Sequence, residues 1–322
     1  MTDTARLARF TAHRLVFVVF SLFGVSVVTF SVVNILPGDV AVLILGTEAS
    51  PERLETVRQQ LGLNRPVWVR YIDWLSGVLV GDLGESLRFQ LPVSELIAQR
   101  LPASAFLAAV SLAIASIIAI PLGIYAAMGR NSFRDIGTST FAFLGMSLPN
   151  FFWGILFILL FARYLNILPP SGFVSPVQDP IGGLKHVFMP ALALAFPLMA
   201  YITRMTRSSV LEEFGSGYVQ LAQSKGLSRR EIVYHHTLRN SFLPVLTIIG
   251  FQIGYLFGGI VIIEELFAYN GIGSLTYEAL LNRDAPLIQG TVLIIAGLVM
   301  LSNFIVDLLY AILDPRIGSE SE

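Results

Sequence analysis

Apolar residues run along this chain in long blocks that contain no charge. A helix needs about 20 such residues to cross a hydrocarbon core. Six blocks fit: Leu15 to Leu36, Leu101 to Gly129, Ile136 to Ala162, Val187 to Thr203, Ser241 to Ile263 and Ala285 to Val306, the last running past Asp307 towards Leu313. The fourth is shorter and carries Pro190 and Pro197, which spans tolerate because neighbouring helices satisfy the freed carbonyls. The first block is too long for the core of a cleaved leader, and no small-residue cleavage site follows it. Leu36-Pro37-Gly38-Asp39 ends it instead, so it reads as a retained span. The expected fold class is an all-α polytopic membrane protein with six transmembrane helices.

The basic residues set the expected orientation, because short flanks rich in Lys and Arg stay on the cytoplasmic side. Arg6, Arg9 and Arg14 precede the first span, and Arg130 and Arg134 follow the second. Arg204, Arg207, Lys225, Arg229, Arg230 and Arg239 follow the fourth. Six spans put these three segments on one side, with both termini cytoplasmic. The opposite side holds Arg163, Lys185 and Arg283. The first external segment has six arginines offset by eight acids, and long loops count little in this rule.

Two of the polar segments have internal order. In the external one, Asp39 to Arg100, Ser50 and Pro51 open a helix that buries Leu54, Val57 and Leu61 on one face before Gly62. A second helix starts at Pro66 and carries Trp68, Tyr71, Ile72, Trp74, Leu75, Val78 and Leu79, a composition suited to a membrane interface. It reads either as a lid over the bundle or as a docking surface for an external partner. In the cytoplasmic segment, Arg204 to Asn240, Tyr218 to Lys225 forms short helical turns that Gly226 ends in a left-handed conformation. Ser228-Arg229-Arg230-Glu231 is a capping box that starts a second helix, running to about Arg239. A helix-glycine-helix on the inner side is either a docking element or a solvated basic loop, and the combined stop and cap favour docking.

Composition agrees with the spans. Charged residues make up 13% of the chain and hydrophobic residues 54%, against about 25% charged in soluble domains. Mean hydropathy is +0.71. A net charge of -1 gives no footprint for nucleic acid. The absence of cysteine excludes disulfides, thiolate metal sites and a cysteine nucleophile. His235 and His236 are adjacent rather than spaced for a metal. No phosphate-cradling loop occurs, and neither lysine, Lys185 or Lys225, follows a glycine. The middle of every span is uncharged, whereas an ion-coupled carrier places charge there. Asp307, near the inner end of the last span, reads as a carboxylate paired with an arginine. Energy for transport must then arrive through a mechanical contact from another chain.

Gln220-Leu221-Ala222, three residues, Gly226, nine residues and His236-Thr237-Leu238 sit on one frame. That frame resembles the coupling loop of binding-protein-dependent ABC importer permeases, whose pattern is Glu-Ala-Ala, three residues, Gly, nine residues, Ile-x-Leu-Pro. The departures at Gln220, Leu221, His236 and Arg239 point to the branch for dipeptides and oligopeptides. Tyr218-Val219, Lys225-Gly226-Leu227-Ser228, Arg239-Asn240 and Leu243-Pro244 are similar to that branch. So are Leu36-Pro37-Gly38-Asp39, with Val40 where a proline is usual, Leu61 to Pro66, Gly81-Asp82-Leu83-Gly84 and Arg100-Leu101-Pro102. Further matches are Phe267-Ala268-Tyr269, Arg283-Asp284, Pro286-Leu287, Gln289-Gly290 and Asp314-Pro315-Arg316. Their order identifies the chain as a first permease of a pair. The resemblance implies the importer-type ABC permease fold, a second homologous permease, two cytoplasmic ATPase subunits that bind ATP and Mg, and an external peptide-binding protein. It implies no cofactor on this chain and no catalytic residue. Nickel, glutathione or oligosaccharide are alternative cargoes within the family; an ion-coupled secondary carrier is the rival outside it.

The expected organisation is an N-terminal span with its external loop (1–100), a five-helix core (101–314) containing the coupling loop (204–240), and a cytoplasmic tail (315–322). The expected coupling residues are Tyr218, Ala222, Lys225, Gly226, Ser228, Arg229, Arg230 and Glu231. Gly226 sets the turn, and Ala222 keeps the coupling helix thin. Lys225, Arg229 and Arg230 either pair with ATPase acids or face water and headgroups, and Glu231 caps. Asn150, Gln252 and Asn303 carry amides into spans and must find partners there, as pathway contacts or as helix-helix glue. Cysteine mapping is expected to place position 225 on the cytoplasmic side; labelling from outside would refute the topology.

Overall fold

The computed structural model describes residues 3–35, 42, 49–60, 62–228, 231–232 and 237–313. The expected stop after Ile35, Leu61, Arg229, Arg230, His235, His236 and the 315–322 tail lie outside them. The described residues are all-helical. In chain order the elements are α1 (Asp3–Ile35), α2 (Pro51–Gln60), α3 (Val67–Leu79), α4 (Val93–Met128), α5 (Phe133–Ser147) and α6 (Asn150–Phe157), which continues as a π-helix (Ile158–Tyr164). Then come α7 (Pro180–Phe214), α8 (Gly217–Ser224), α9 (Leu238–Leu266), α10 (Ile272–Leu281) and α11 (Ala285–Leu313).

Five helices, α1, α4, α7, α9 and α11, are long and apolar enough to cross a membrane. The third expected span is not one helix. α5 and α6 meet at an angle of 103°, and only if this bent pair counts as one span are there six. The cause is local. Pro149 has no N–H to donate and forces the preceding residue out of the helical region, and Leu148 is extended at φ -119° and ψ 142°. Pro102, Pro121, Pro190, Pro197 and Pro244 lie inside continuous helices, so proline alone does not decide the matter.

Other boundaries move outward. α4 starts at Val93 rather than Leu101, so the expected division at residue 100 falls inside a helix. α7 runs for 35 residues, from Pro180 to Phe214, and takes in the first part of the expected coupling loop. α9 begins at Leu238 and passes Ser241 without a break.

The core forms where α4 crosses α7. Leu107, Ser111, Ala115, Ala119, Gly123 and Ala127 are buried at four-residue intervals along α4, which puts them on one stripe. Leu194, Leu198, Ile202 and Thr206 are buried on α7. Small residues let helix backbones approach closely, and in lipid that approach rather than water exclusion holds helices together. At Gly123 an added Cβ would lie 2.5 Å from Thr206 Cβ and 2.7 Å from the Thr203 carbonyl oxygen.

A second cluster joins Leu83, Val93, Leu96 and Ile97 to Ile272, Leu275, Leu287 and Ile288, so the end of the first external segment belongs to the core. Two buried carboxylates pin this end of the bundle. Asp284 accepts from the Ser86 hydroxyl at 2.5 Å and from Arg88 N at 3.2 Å. Glu264 accepts from the Ser104 hydroxyl at 2.5 Å and Ser274 N at 3.0 Å, while Ser104 Oγ accepts from Ile272 N at 2.8 Å. Asp307 pairs with Arg14 at 3.0 Å and ties α11 to α1, as its position suggested.

Gly123→Leu is expected to destabilise the bundle by at least about 1–3 kcal/mol through overpacking. Gly137→Leu, at a position with nothing within 4 Å, is expected to be near neutral. Thermal unfolding in detergent compares the two.

Candidate functional site

The inner end of α7 passes directly into the candidate coupling element. α7 stops at Phe214, and α8 follows after Gly215 and Ser216. Val219, Ala222 and Ile232 form a buried cluster, with Phe214 packed against it. Ala222 is therefore on the underside of α8, 6% exposed. Its small side chain lets α8 lie close on its own support. The outward face carries Tyr218, Leu221 and Lys225, with Leu221 58% exposed. Leu221 was absent from the expected coupling residues; three- and four-residue spacing from Tyr218 and Lys225 could have found it. The Tyr218 hydroxyl donates to the Glu213 carboxylate, joining α8 to the last turn of α7.

Gly226 has φ +78°, a conformation that costs a side-chain-bearing residue roughly 1–2 kcal/mol. The capping box has both of its bonds: Glu231 N donates to Ser228 Oγ at 3.3 Å, and Ser228 N donates to the Glu231 carboxylate at 2.8 Å. Lys225 and Ser228 are exposed.

Above this foot, α7 is joined to α5 by an ion pair that the sequence reading missed. Arg207 Nε and Nη2 donate to the two Asp135 carboxylate oxygens at 2.5 and 2.8 Å. Asn131 N also donates to Asp135 at 3.0 Å, which fixes the tight turn between α4 and α5. The only local hint was a carboxylate beside the first residue of an apolar block. Asp135, Ser139 and Thr140 border an open groove of about 580 Å³ with Asn131, Ile136 and Phe143.

At the other end of α5, the break opens a cavity of about 310 Å³ lined by Pro149, Asn150, Phe151, Tyr255, Gly258, Gly259 and Ile262. Its wall is almost wholly apolar, and no charged side chain lines it. Asn150 packs against α9, where a Cβ on Gly259 would fall 2.3 Å from its amide nitrogen. Gln252 is half-buried one turn earlier on α9 and does not line the cavity. Asn303 lies elsewhere, in a crevice of about 140 Å³ between α1 and α11 with Arg14 and Asp307. The structure thus separates the three amides and leaves Asn150 alone at the break.

Residues 119–319 match the family described as the binding-protein-dependent transport system inner membrane component, and residues 7–108 match its N-terminal membrane component. The chain belongs to that family. It is a multi-pass inner-membrane permease subunit with no catalytic role of its own, working with ATPase and binding-protein partners that carry the ATP chemistry and the ligand capture. A Brucella suis biovar 1 protein named as a peptide transport system permease is 41% identical over 293 residues, covering 91% of this chain and 93% of that one. The dipeptide transport system permease protein DppB of Escherichia coli K12 is 36% identical over 335 residues, covering 97% and 99%. The fold is similar to that of the methionine ABC transporter MetNI in an inward-facing conformation, with a TM-score of 0.57, 16% identity, and coverage of 68% of this chain and 96% of that one.

Removing either partner of the Asp135–Arg207 pair by alanine substitution is expected to destabilise the chain by about 3 kcal/mol, the low end for a buried pair. The exchange Asp135→Arg with Arg207→Asp is expected to recover part of that loss. Thermal unfolding of the wild type, the two alanine variants and the double alanine variant gives the coupling energy, and that of the exchange gives the recovery.

Proposed function

We propose that this chain is one of two paired permeases that import dipeptides or oligopeptides, driven by two cytoplasmic ATPase subunits and fed by an external peptide-binding protein. Both termini then lie in the cytoplasm. The peptide assignment is supported by near full-length similarity to the dipeptide permease of Escherichia coli. The coupling role is carried by one observation: α8 projects past the end of α7 and is closed off by the left-handed Gly226, with Tyr218, Leu221 and Lys225 facing outward.

The route for force follows from the contacts. A push on Leu221 and Tyr218 bears on the Phe214 cluster and so on the end of α7. α7 carries α5 with it through the Arg207–Asp135 pair and α4 through the close contact at Gly123. α5 ends at the break, where Asn150 faces the apolar cavity. Nucleotide-driven movement of the ATPases thereby biases two arrangements of the pathway, each open to one side. Arg229 and Arg230 follow the same foot in sequence and are the expected cationic partners of acidic groups on the ATPase. A wall without fixed charge offers no deep well for one sign of side chain, which suits peptides of varied sequence. Gln252 lies one turn from the cavity and is a secondary candidate, and Asn303 serves helix packing.

In a reconstituted complex, Leu221→Asp is expected to abolish peptide uptake and the coupled ATP hydrolysis, while Asn150→Leu lowers uptake and leaves assembly and ATPase docking intact. Uptake unchanged in both variants would refute the proposal. A metal ion, glutathione or a sugar copurifying with the binding protein would reassign the cargo and leave the coupling role standing.

A further inference from the structure

Helix α3 has two apolar sides, and among the described residues only one of them is used. Tyr71 and Trp74 face α1: the Tyr71 and Ser26 hydroxyls share a hydrogen bond of 2.8 Å, and the Phe30 ring lies 5.3 Å from Tyr71 and 5.6 Å from Trp74. Val78 packs on the second core cluster. The adjacent side carries Trp68, Ile72 and Leu79, which are 67%, 56% and 80% exposed. Their spacing of four and seven residues makes one stripe. The polar edge is separate: Arg65 pairs with Asp73 at 3.0 Å with both side chains more than half exposed, and Ser76 is exposed beside them.

The contact with α1 fixes the depth of this stripe. The candidate span on α1 is Arg9–Ile35, 27 residues, with Arg9, His13 and Arg14 in its first turns. At about 1.5 Å per residue it is roughly 40 Å long, about 5 Å longer at each end than a hydrocarbon core of about 30 Å. Ser26 lies nine residues before Ile35, which puts its level roughly 8 Å inside that core. An interfacial helix sits about 5–10 Å into the headgroup and acyl boundary. On α1 itself, Phe23 and Val27 flank the Ser26 contact and are 49% and 38% exposed, and Val16, Val19 and Phe20 continue this surface at 67%, 66% and 73%. The stripe on α3 therefore lies beside the exposed apolar surface of a candidate membrane span.

We propose that α3 is seated in the bilayer interface at the Ile35 end of α1, with Trp68, Ile72 and Leu79 covered by lipid and the Arg65, Asp73 and Ser76 edge turned to water. The first external segment is then moored to the membrane at the rim of the bundle. Its polar edge is what remains for a soluble partner. The seating depends on the depth of α1 and not on the cargo or on ATP coupling.

The chain contains no cysteine, so single cysteines can carry a nitroxide label at chosen positions. The test uses Trp68→Cys, Ile72→Cys, Asp73→Cys, Ser76→Cys and Leu79→Cys in the full-length chain, reconstituted in phosphatidylethanolamine and phosphatidylglycerol vesicles. Collision with oxygen, which concentrates in lipid, is expected to exceed collision with a water-soluble nickel chelate at positions 68, 72 and 79. The order is expected to reverse at 73 and 76. Chelate access dominating at 72 and 79 would overturn the proposal. So would labels at these positions that are lipid-inaccessible and become immobilised only when an external binding protein is added.

Discussion

Inside a bilayer two helices gain nothing by hiding apolar surface from water, because no water is there. Their association rests on how closely the backbones can approach. In this chain that constraint falls on α4 and α7. The ladder of Ser111, Ala115, Ala119, Gly123 and Ala127 presents no bulky side chain, and the Gly123 position sits almost against the backbone of Thr203. α7 is accordingly the most buried of the candidate spans, whereas α1 and α11 keep most of their surface exposed. Every functional feature is attached to this pair: the foot at the end of α7, the ion pair that adds α5, and the buried carboxylates that close the opposite end.

Charge in the bundle is confined to places where it can be fully paired. Asp135, Glu264 and Asp284 are all buried, yet Asp135 is in the first turn of α5, Glu264 near the end of α9, and Asp284 just before α11. At helix ends backbone N–H groups have no intrahelical partner, and these carboxylates accept from them. The same economy leaves the cavity at the break free of charge. The carboxylates thus fix the geometry of the two ends of the bundle, and the cavity between them is apolar.

Among the described residues, the break between α5 and α6 is the one discontinuity of this size within a candidate span. It leaves two 15-residue arms, each roughly 22 Å long at the rise of an α-helix and so too short alone to span the core. Trp153 and Phe157 of the second arm pack on Phe196 of α7, and Gly154 lies against Leu266 and Phe267. The arm is held by the core while its first residue, Asn150, looks into the cavity. A chain bend at this point joins α5, tied to α7 by the Arg207–Asp135 pair, to the wall of the cavity.

Sequence by itself determined the features set by neighbouring residues. Long uncharged blocks marked the membrane helices, Gly226 marked the left-handed turn, and Ser228 with Glu231 marked the cap, because each depends on the chain's own stereochemistry within a few positions. The four-residue period of the α4 ladder is present in the sequence but went unread there, and α7 as its partner was not visible. What tertiary structure decided involves residues far apart. Asp135 meets Arg207 across 72 positions and Ser86 meets Asp284 across 198. Packing decided which proline breaks a helix, since Pro149 does and Pro197 does not, and it turned Ala222 inward and Leu221 outward. It also kept Asn150 at the cavity and drew Asn303 into a helix contact, because a polar group in lipid is placed by whichever neighbour can satisfy it, and that neighbour comes from elsewhere in the chain.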